Sequence, residues 1–163
     1  MNATAMNHPA VEVAARRVAD FDPGLTPVAV SVRPDVAAVV LESADKRFTV
    51  FVVNRDGQWV PPEFTSGTPR RVRDRDDVTG VPPLYNMSRR WFGPTVESEV
   101  GWLSVTGLAA LDAVEVVLTS ALEQTVSPIS DSGLAFGVVR ASKEDRPTIE
   151  IRTRDERSVT VRP

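Results

Sequence analysis

The sequence predicts a mainly β protein: an antiparallel β-sandwich or barrel with a short N-terminal α-helix. The chain has 163 residues, 13 of them Pro, and it is rich in Val and Thr, a composition that favours strands and turns. Short apolar runs are separated by turn signals at spacings of roughly eight to twelve residues, which is typical of sandwiches and barrels. A long-range repeat is the third observation.

The repeat is centred on residues 39–44, VVLESA, which return as residues 116–121, VVLTSA. Asp35 is matched by Asp112 and Gly57 by Gly133 at a similar offset. We interpret this as a duplication of a small β unit, in which each copy buries the apolar face that one alone could not. The predicted organisation is a leader and helix at 1–24, a first repeat at 25–80, a connection at 81–99 and a second repeat at 100–163, with one core shared by the repeats.

A helix is predicted from Pro9, with Asn7 or His8 at its N-cap, because proline in the first turn loses no hydrogen bond. Val11, Ala14, Ala15 and Val18 then follow at helical spacing. The turn signal at residues 22–24 ends the helix.

Strands are predicted from residue 27 onwards, where the apolar period changes from helical to alternating. The more continuously apolar run at 36–43 predicts a central strand covered on both faces. Residues 55–57, Arg-Asp-Gly, are a tight-turn signal. In the rest of the first repeat, strands are expected at 28–32, 47–54 and 58–60, with a charged edge strand at 70–77.

Residues 84–94 are predicted to connect the two repeats. The second repeat is predicted to end in a hairpin, with strands at 148–154 and 158–162 joined across Asp155-Glu156-Arg157. Its other strands are expected at 102–105, 113–120, 123–129 and 134–141.

Composition excludes several classes of protein. The formal net charge of −3 argues against a protein whose whole surface binds nucleic acid, and a nucleic-acid partner is not expected. The absence of cysteine excludes disulfides and thiolate sites. No run of eighteen apolar residues and no basic leader with an apolar segment is found, so we expect a cytoplasmic protein without a membrane span.

Catalytic and cofactor motifs are missing from the sequence. His8 is the only histidine, and no Gly-x-Ser-x-Gly elbow, phosphate loop or dinucleotide-binding turn occurs. Asp74, Asp76 and Asp77 lack the terminal Glu of a calcium loop. We therefore predict no catalytic, cofactor or metal residues. A carboxylate-dependent hydrolase is kept as the weakest alternative, because sequence cannot show a convergent acid pair.

Two Arg-x-Arg-Asp segments are candidates for anion binding. Residues two apart in a strand share a face, so Arg73 and Arg75 would stand side by side, as would Arg152 and Arg154. Two guanidinium pairs are suited to clamping an anionic ligand or an acidic surface. The simpler interpretation is an edge strand made charged to prevent aggregation.

The predicted connection combines aromatic rings with arginines, a composition typical of binding hot spots. Its candidate interaction residues could equally plug one end of the sandwich. We expect a non-catalytic protein-interaction or scaffold module that binds a protein partner or a second copy of itself. The alternative is a small-anion-binding protein that uses the paired arginines. The candidate interaction surface comprises Tyr85, Arg89, Arg90, Trp91 and Phe92.

Overall fold

The computed structural model describes residues 6–62, 65 and 67–161. The chain divides into two compact units, Met1–Val72 and Arg73–Pro163. The boundary falls inside the predicted first repeat. Strands dominate both units, and every strand pairing among the described residues is antiparallel, so the predicted mainly β, antiparallel class is confirmed.

The first unit is an antiparallel sheet with a helix, α1 (Pro9–Val18), packed on one face. The sheet order is β1-β2-β3-β4, and β5 also pairs with β3. The strands are β1 (Thr26–Val32), β2 (Val36–Glu42), β3 (Lys46–Arg55), β4 (Gln58–Val60) and β5 (Gly67–Pro69).

Helix α1 begins where the sequence predicts. The His8 side chain caps it, with Nδ1 accepting a hydrogen bond from the Ala10 amide at 3.1 Å, and Pro9 occupies the first turn. Buried residues on one side, including Ala14 and Val18, pack against β2 and β3 side chains such as Leu41. Removing this apolar stripe from water stabilises the helix on the sheet, because a ten-residue helix is marginal alone.

The second unit contains two sheets. One has three strands in the order β10-β7-β6, and the other has four in the order β12-β11-β8-β9. The strands are β6 (Leu84–Phe92), β7 (Val100–Ala109), β8 (Ala113–Thr119), β9 (Gln124–Pro128), β10 (Leu134–Ser142), β11 (Thr148–Thr153) and β12 (Ser158–Thr160).

The core of the second unit lies between these two sheets. Leu103 and Val105 of β7 join Leu118 of β8 and Ile151 of β11 in one buried cluster. On β11, buried residues alternate with more exposed ones, whereas β7 and β10 are buried along most of their length, and this burial fits a sandwich-like packing of two sheets. The predicted closing hairpin is confirmed as β11 and β12, although residue 162 lies outside the described residues.

Two local predictions differ from the structure. The charged edge strand expected at 70–77 is wrong, because these residues have no regular secondary structure. The predicted connection at 84–94 contains strand β6, an edge strand of the three-stranded sheet. A bulge between Tyr85 and Ser88 and a positive φ of 52° at Asn86 break its alternation, which hides the strand in the sequence.

The strand pairing differs between the two echoed segments. In the first unit, β1 pairs with β2 in the same sheet. In the second, β7 pairs with β6 and β10, whereas β8 pairs with β9 and β11 in the other sheet. The duplication and its shared core stay predictions.

Among the described residues, α1 and every other helical segment are too short or too polar to traverse a lipid bilayer.

Candidate functional site

The outward side of the four-stranded sheet in the second unit carries a ladder of charged side chains. On β11, Ile149 and Ile151 are fully buried in the core, so Glu150 and Arg152 point to the opposite face. Arg152 pairs in register with Glu115 of β8 on one side and with Ser158 of β12 on the other. We call the surface formed by Glu115, Glu150, Arg152 and Ser158 the β8–β11 face.

Arg152 lies between two carboxylates on this face. Its Nη1 is 3.6 Å from Glu115 Oε2, and its Nε donates to Glu150 Oε1 at 3.2 Å. The Arg152 side chain is 44% exposed and that of Glu115 is 40% exposed, so the ladder is open to solvent. Exposed ion pairs of this kind add at most about 1 kcal/mol to stability. The charges of this face are therefore accessible to a partner and contribute little to the fold.

The ionisation of Glu150 depends on its neighbours. The Ser158 hydroxyl donates a hydrogen bond to Glu150 Oε1, and Arg152 adds a second hydrogen bond and its positive charge. Together they hold the pKa of the Glu150 carboxyl below its usual value, against a smaller opposing effect of burial. Glu150 is thus fixed as a carboxylate at neutral pH.

An open pocket of about 270 Å³ has all four residues of the β8–β11 face in its lining. The turn between β11 and β12 forms its rim and holds Glu156 in the left-handed region, with φ of 64°. The lining residues are Val114, Glu115, Glu150, Arg152, Thr153, Glu156, Arg157 and Ser158.

Beside the pocket, Asp112 joins three segments of the second unit. Its Oδ1 accepts hydrogen bonds from the Thr79 amide at 2.8 Å and the Thr79 hydroxyl at 2.6 Å. Its Oδ2 accepts from Arg157 Nη2 at 2.8 Å. Because Thr79 is only 3% exposed, these bonds also satisfy a buried hydroxyl. Asp112 therefore ties the turn before β12 to residues 73–79.

Arg157 is already balanced by two acids. Besides Asp112, its Nε donates to Asp155 Oδ2 at 2.9 Å. The Thr153 hydroxyl and then Arg157 lower the pKa of the Asp155 carboxyl, and Asp155 with Asp112 raises the pKa of Arg157. The positive charge that Arg157 brings to the pocket is consequently more than offset nearby.

Arg73 and Arg75, predicted to stand side by side, have separate roles. Arg75 donates from Nε to the Ala109 carbonyl and from Nη2 to that of Ala110, both at 2.9 Å, and from Nη1 to the Asp131 carbonyl at 3.1 Å. Gly133 lies directly under it, where a Cβ would collide with the Arg75 side chain. Arg75 is a cross-link between main-chain segments, and its donors face protein carbonyls.

The Arg73 guanidinium stacks on Tyr85, 3.5 Å from the ring centroid. Asp76 bridges the two residues, since it is 3.4 Å from Arg73 Nη2 and accepts from the Tyr85 hydroxyl at 2.9 Å. These contacts hold residues 73–79 against β6.

Arg154 does not share a strand face with Arg152, because β11 ends at Thr153 and Arg154 lies in the turn. Its Nη2 donates to the Leu111 carbonyl at 2.8 Å. Neither predicted arginine pair is therefore arranged as two parallel guanidiniums.

The candidate interaction residues of β6 have different surroundings in the structure. Trp91 packs on the core of the second unit and donates from Nε1 to the Ala141 carbonyl at 3.2 Å, which is the plugging role considered for it. Tyr85 is engaged with Arg73 and Asp76. Arg89, Arg90 and Phe92 are half-buried.

A further charged cluster lies in the first unit. Glu42 Oε2 is 2.7 Å from Arg47 Nη2 and 3.3 Å from Arg70 Nε. The side chains of Arg47 and Glu42 are only 8% and 11% exposed, so this is a buried ion pair. Because the Glu42–Arg47 ion pair is buried, we interpret it as a structural element of the first unit.

Sequence reasoning missed Glu150, Ser158, Asp112 and Arg157. The sequence did contain a signal for Glu150, because the alternation of Ile149 and Ile151 puts Glu150 on the face of Arg152. Asp112 and Arg157 come together through tertiary contacts 45 residues apart, which no local pattern shows.

In residues 6–62, 65 and 67–161, no group of three or more His, Cys, Asp or Glu side chains is placed to hold a metal ion. Comparison with protein-family models, curated proteins and solved structures finds no match to the chain.

Proposed function

We propose that the chain is a non-catalytic module that binds another protein through the β8–β11 face. The observation that carries the proposal is an exposed ladder of opposite charges, Glu115, Arg152 and Glu150, running into an open pocket. Charge patterns of this kind select partners and orient them. Val126, on the neighbouring strand β9, adds exposed apolar surface, 51% accessible.

Two alternatives have less support from the geometry. The four arginines proposed for anion binding already contact carboxylates, carbonyls or an aromatic ring, and Arg152 lies between two acids. A hydrolase needs one acid with a raised pKa, whereas the pKa of Glu150 in the pocket is lowered.

The test compares wild-type protein with Glu115→Arg as baits. Glu115→Arg reverses the charge at one end of the ladder and removes one of the two carboxylate partners of Arg152. Partners retained from the native lysate are identified, purified and titrated against both baits. We expect at least about fivefold weaker binding to Glu115→Arg, which corresponds to about 1 kcal/mol.

The matched control is Glu12→Arg on α1, because Glu12 is also exposed and paired with an arginine, Arg16, at 2.6 Å. This variant should bind like wild type. Equal binding of the partner to all three proteins would contradict the proposal. A screen of phosphorylated and carboxylated metabolites by thermal shift tests the anion alternative, since a ligand at a hundredfold excess over Kd should add about 2.7 kcal/mol.

A further inference from the structure

The pocket on the β8–β11 face has an excess of negative charge once the ion pairs around it are counted. Of its lining residues, Glu115, Glu150 and Glu156 are acidic, whereas Arg152 and Arg157 are basic. Asp112 and Asp155 each form an ion pair with Arg157 from outside the lining. Five carboxylates therefore accompany two guanidiniums in and around the pocket, and a third guanidinium, that of Arg154 in the same turn, donates to the Leu111 carbonyl.

These carboxylates differ in the ion pairs that they already form. Glu115 and Glu150 share Arg152, and Asp112 and Asp155 share Arg157. In the described part of the chain, no ion pair neutralises the Glu156 carboxylate, which stands exposed at the pocket rim. A cation entering the pocket thus meets one carboxylate without an ion pair, that of Glu156. It also meets the carboxylates of Glu115 and Glu150, which share a single guanidinium.

The size of the pocket limits the occupant. A volume of about 270 Å³ is at or below the lower end of small-molecule sites but suits the head of one long side chain. A guanidinium makes paired hydrogen bonds to carboxylates, and its planar shape fits between the side chains of neighbouring strands.

We propose that this pocket receives an arginine side chain from an exposed basic segment of the partner protein. The inference rests on the proposed interaction function and specifies the chemistry of the partner. Glu156 and Glu115 are the residues that contact the incoming guanidinium. Arg152 opposes it and sets the affinity low enough for reversible binding.

The probe is a short peptide in which arginines are separated by Gly-Ser, with blocked ends. Its control is the same peptide with citrulline, a neutral isostere, in place of each arginine. Each is titrated into the full chain at low ionic strength while backbone amide resonances are followed by NMR, since screening weakens such contacts at high salt.

The arginine peptide should shift the amides of residues 150–158 and of Glu115 with saturation, and the citrulline peptide should not. Glu156→Gln should weaken binding about two- to fivefold, the size of one exposed charge contact. Arg152→Gln should strengthen binding by a similar factor, because it removes a repelling charge and releases Glu115 and Glu150. Glu12→Gln on α1 should bind like wild type.

Opposite responses of the Glu156 and Arg152 variants would not follow from a general loss of structure. Equal binding of the two peptides, or weaker binding by Arg152→Gln, overturns the inference. If a captured partner depends on Glu115 but no arginine peptide binds, the interaction function stands and the arginine pocket fails. If the peptide binds as described but no partner depends on Glu115, the pocket stands and the interaction function fails.

Discussion

The hydrogen bond from the Ser158 hydroxyl is the largest cause of the lowered pKa of Glu150, ahead of the hydrogen bond and the charge of Arg152. Replacing Ser158 with Ala should therefore raise the pKa of Glu150 towards its usual value of about 4.3. A titration of the side-chain carboxyl carbons followed by NMR measures this. An unchanged pKa in Ser158→Ala would contradict the hydrogen bond.

The same hydrogen bond predicts a pH dependence of stability. Because the folded-state pKa of Glu150 is lowered, its contribution is present above the unfolded pKa of about 4.3 and is lost as pH falls through the folded value. The stability difference between wild type and Ser158→Ala should thus be constant near neutral pH and shrink in acid. A difference that grows in acid would have the wrong sign.

The buried ion pair of the first unit gives a prediction about stability. Glu42→Gln leaves the Arg47 guanidinium buried without its counter-charge, so we expect a loss of about 3–5 kcal/mol in the free energy of unfolding. The exposed pair on α1 is the control, and Glu12→Gln should cost less than about 0.5 kcal/mol. Urea unfolding of both variants measures the two losses in free energy of unfolding. Equal losses would show that burial does not determine how much each ion pair contributes to stability.

Among the elements of the second unit, residues 73–79 are held in place without forming a strand. The Arg75 guanidinium contacts three carbonyls, and the Leu111 amide donates to the Asp76 carbonyl at 2.8 Å. Hydrogen bonds from a charged group to protein acceptors are each worth about 1.5–3 kcal/mol. Side-chain hydrogen bonds, three of them from Arg75, therefore do for this segment most of what a ladder of main-chain bonds does for a strand.

We expect Arg75→Gln to lower the free energy of unfolding by about 2–3 kcal/mol and to speed hydrogen exchange at the Leu111 amide. Arg73→Gln is the control, since it loses a stacking contact, an exposed ion pair and an exposed hydrogen bond to the Asp74 carbonyl, and it should cost about 0.5–1 kcal/mol. If the two substitutions lowered the free energy of unfolding equally, Arg73 and Arg75 would have equivalent roles, as the sequence predicted.

Sequence patterns predicted elements well where burial alternates regularly. The hairpin of β11 and β12 and the cap of α1 follow from period and from His8-Pro9 alone. The strand expected at 70–77 fails because alternating Arg and Asp resemble a charged edge strand, whereas here Arg75 points into a cleft of carbonyls. Strand β6 was missed because the bulge at Asn86 interrupts the alternation.

For the molecule as a whole, the sequence predicted the class of fold but could not specify the strand pairing. Most of each echoed segment falls in a buried interior strand, residues 39–42 in β2 and residues 116–119 in β8. Yet β1 is a neighbour of β2, and β7 is not a neighbour of β8. Similar apolar patterns suit either arrangement, because a core strand needs only to be buried and paired.

The candidate site was predicted only in part. Arg152 was singled out, but as one half of a pair with Arg154, and the end of β11 at Thr153 separates the two. The two neighbouring acids change the kind of ligand that Arg152 favours. A lone exposed guanidinium would favour an anion, whereas this one lies among carboxylates. Glu150 lies on the same strand and could be placed from the alternation of the sequence, whereas Glu115 is brought beside Arg152 only by the pairing of β8 with β11.

The most direct test of the interaction surface is hydrogen-exchange protection of the full chain by its purified partner. Binding at the β8–β11 face should slow exchange in Ala113–Thr119, Thr148–Thr153 and Ser158–Thr160, and Glu115→Arg should abolish this protection at the same partner concentration. Protection confined to other strands, or protection that survives Glu115→Arg, would contradict the assignment of this face as the binding surface.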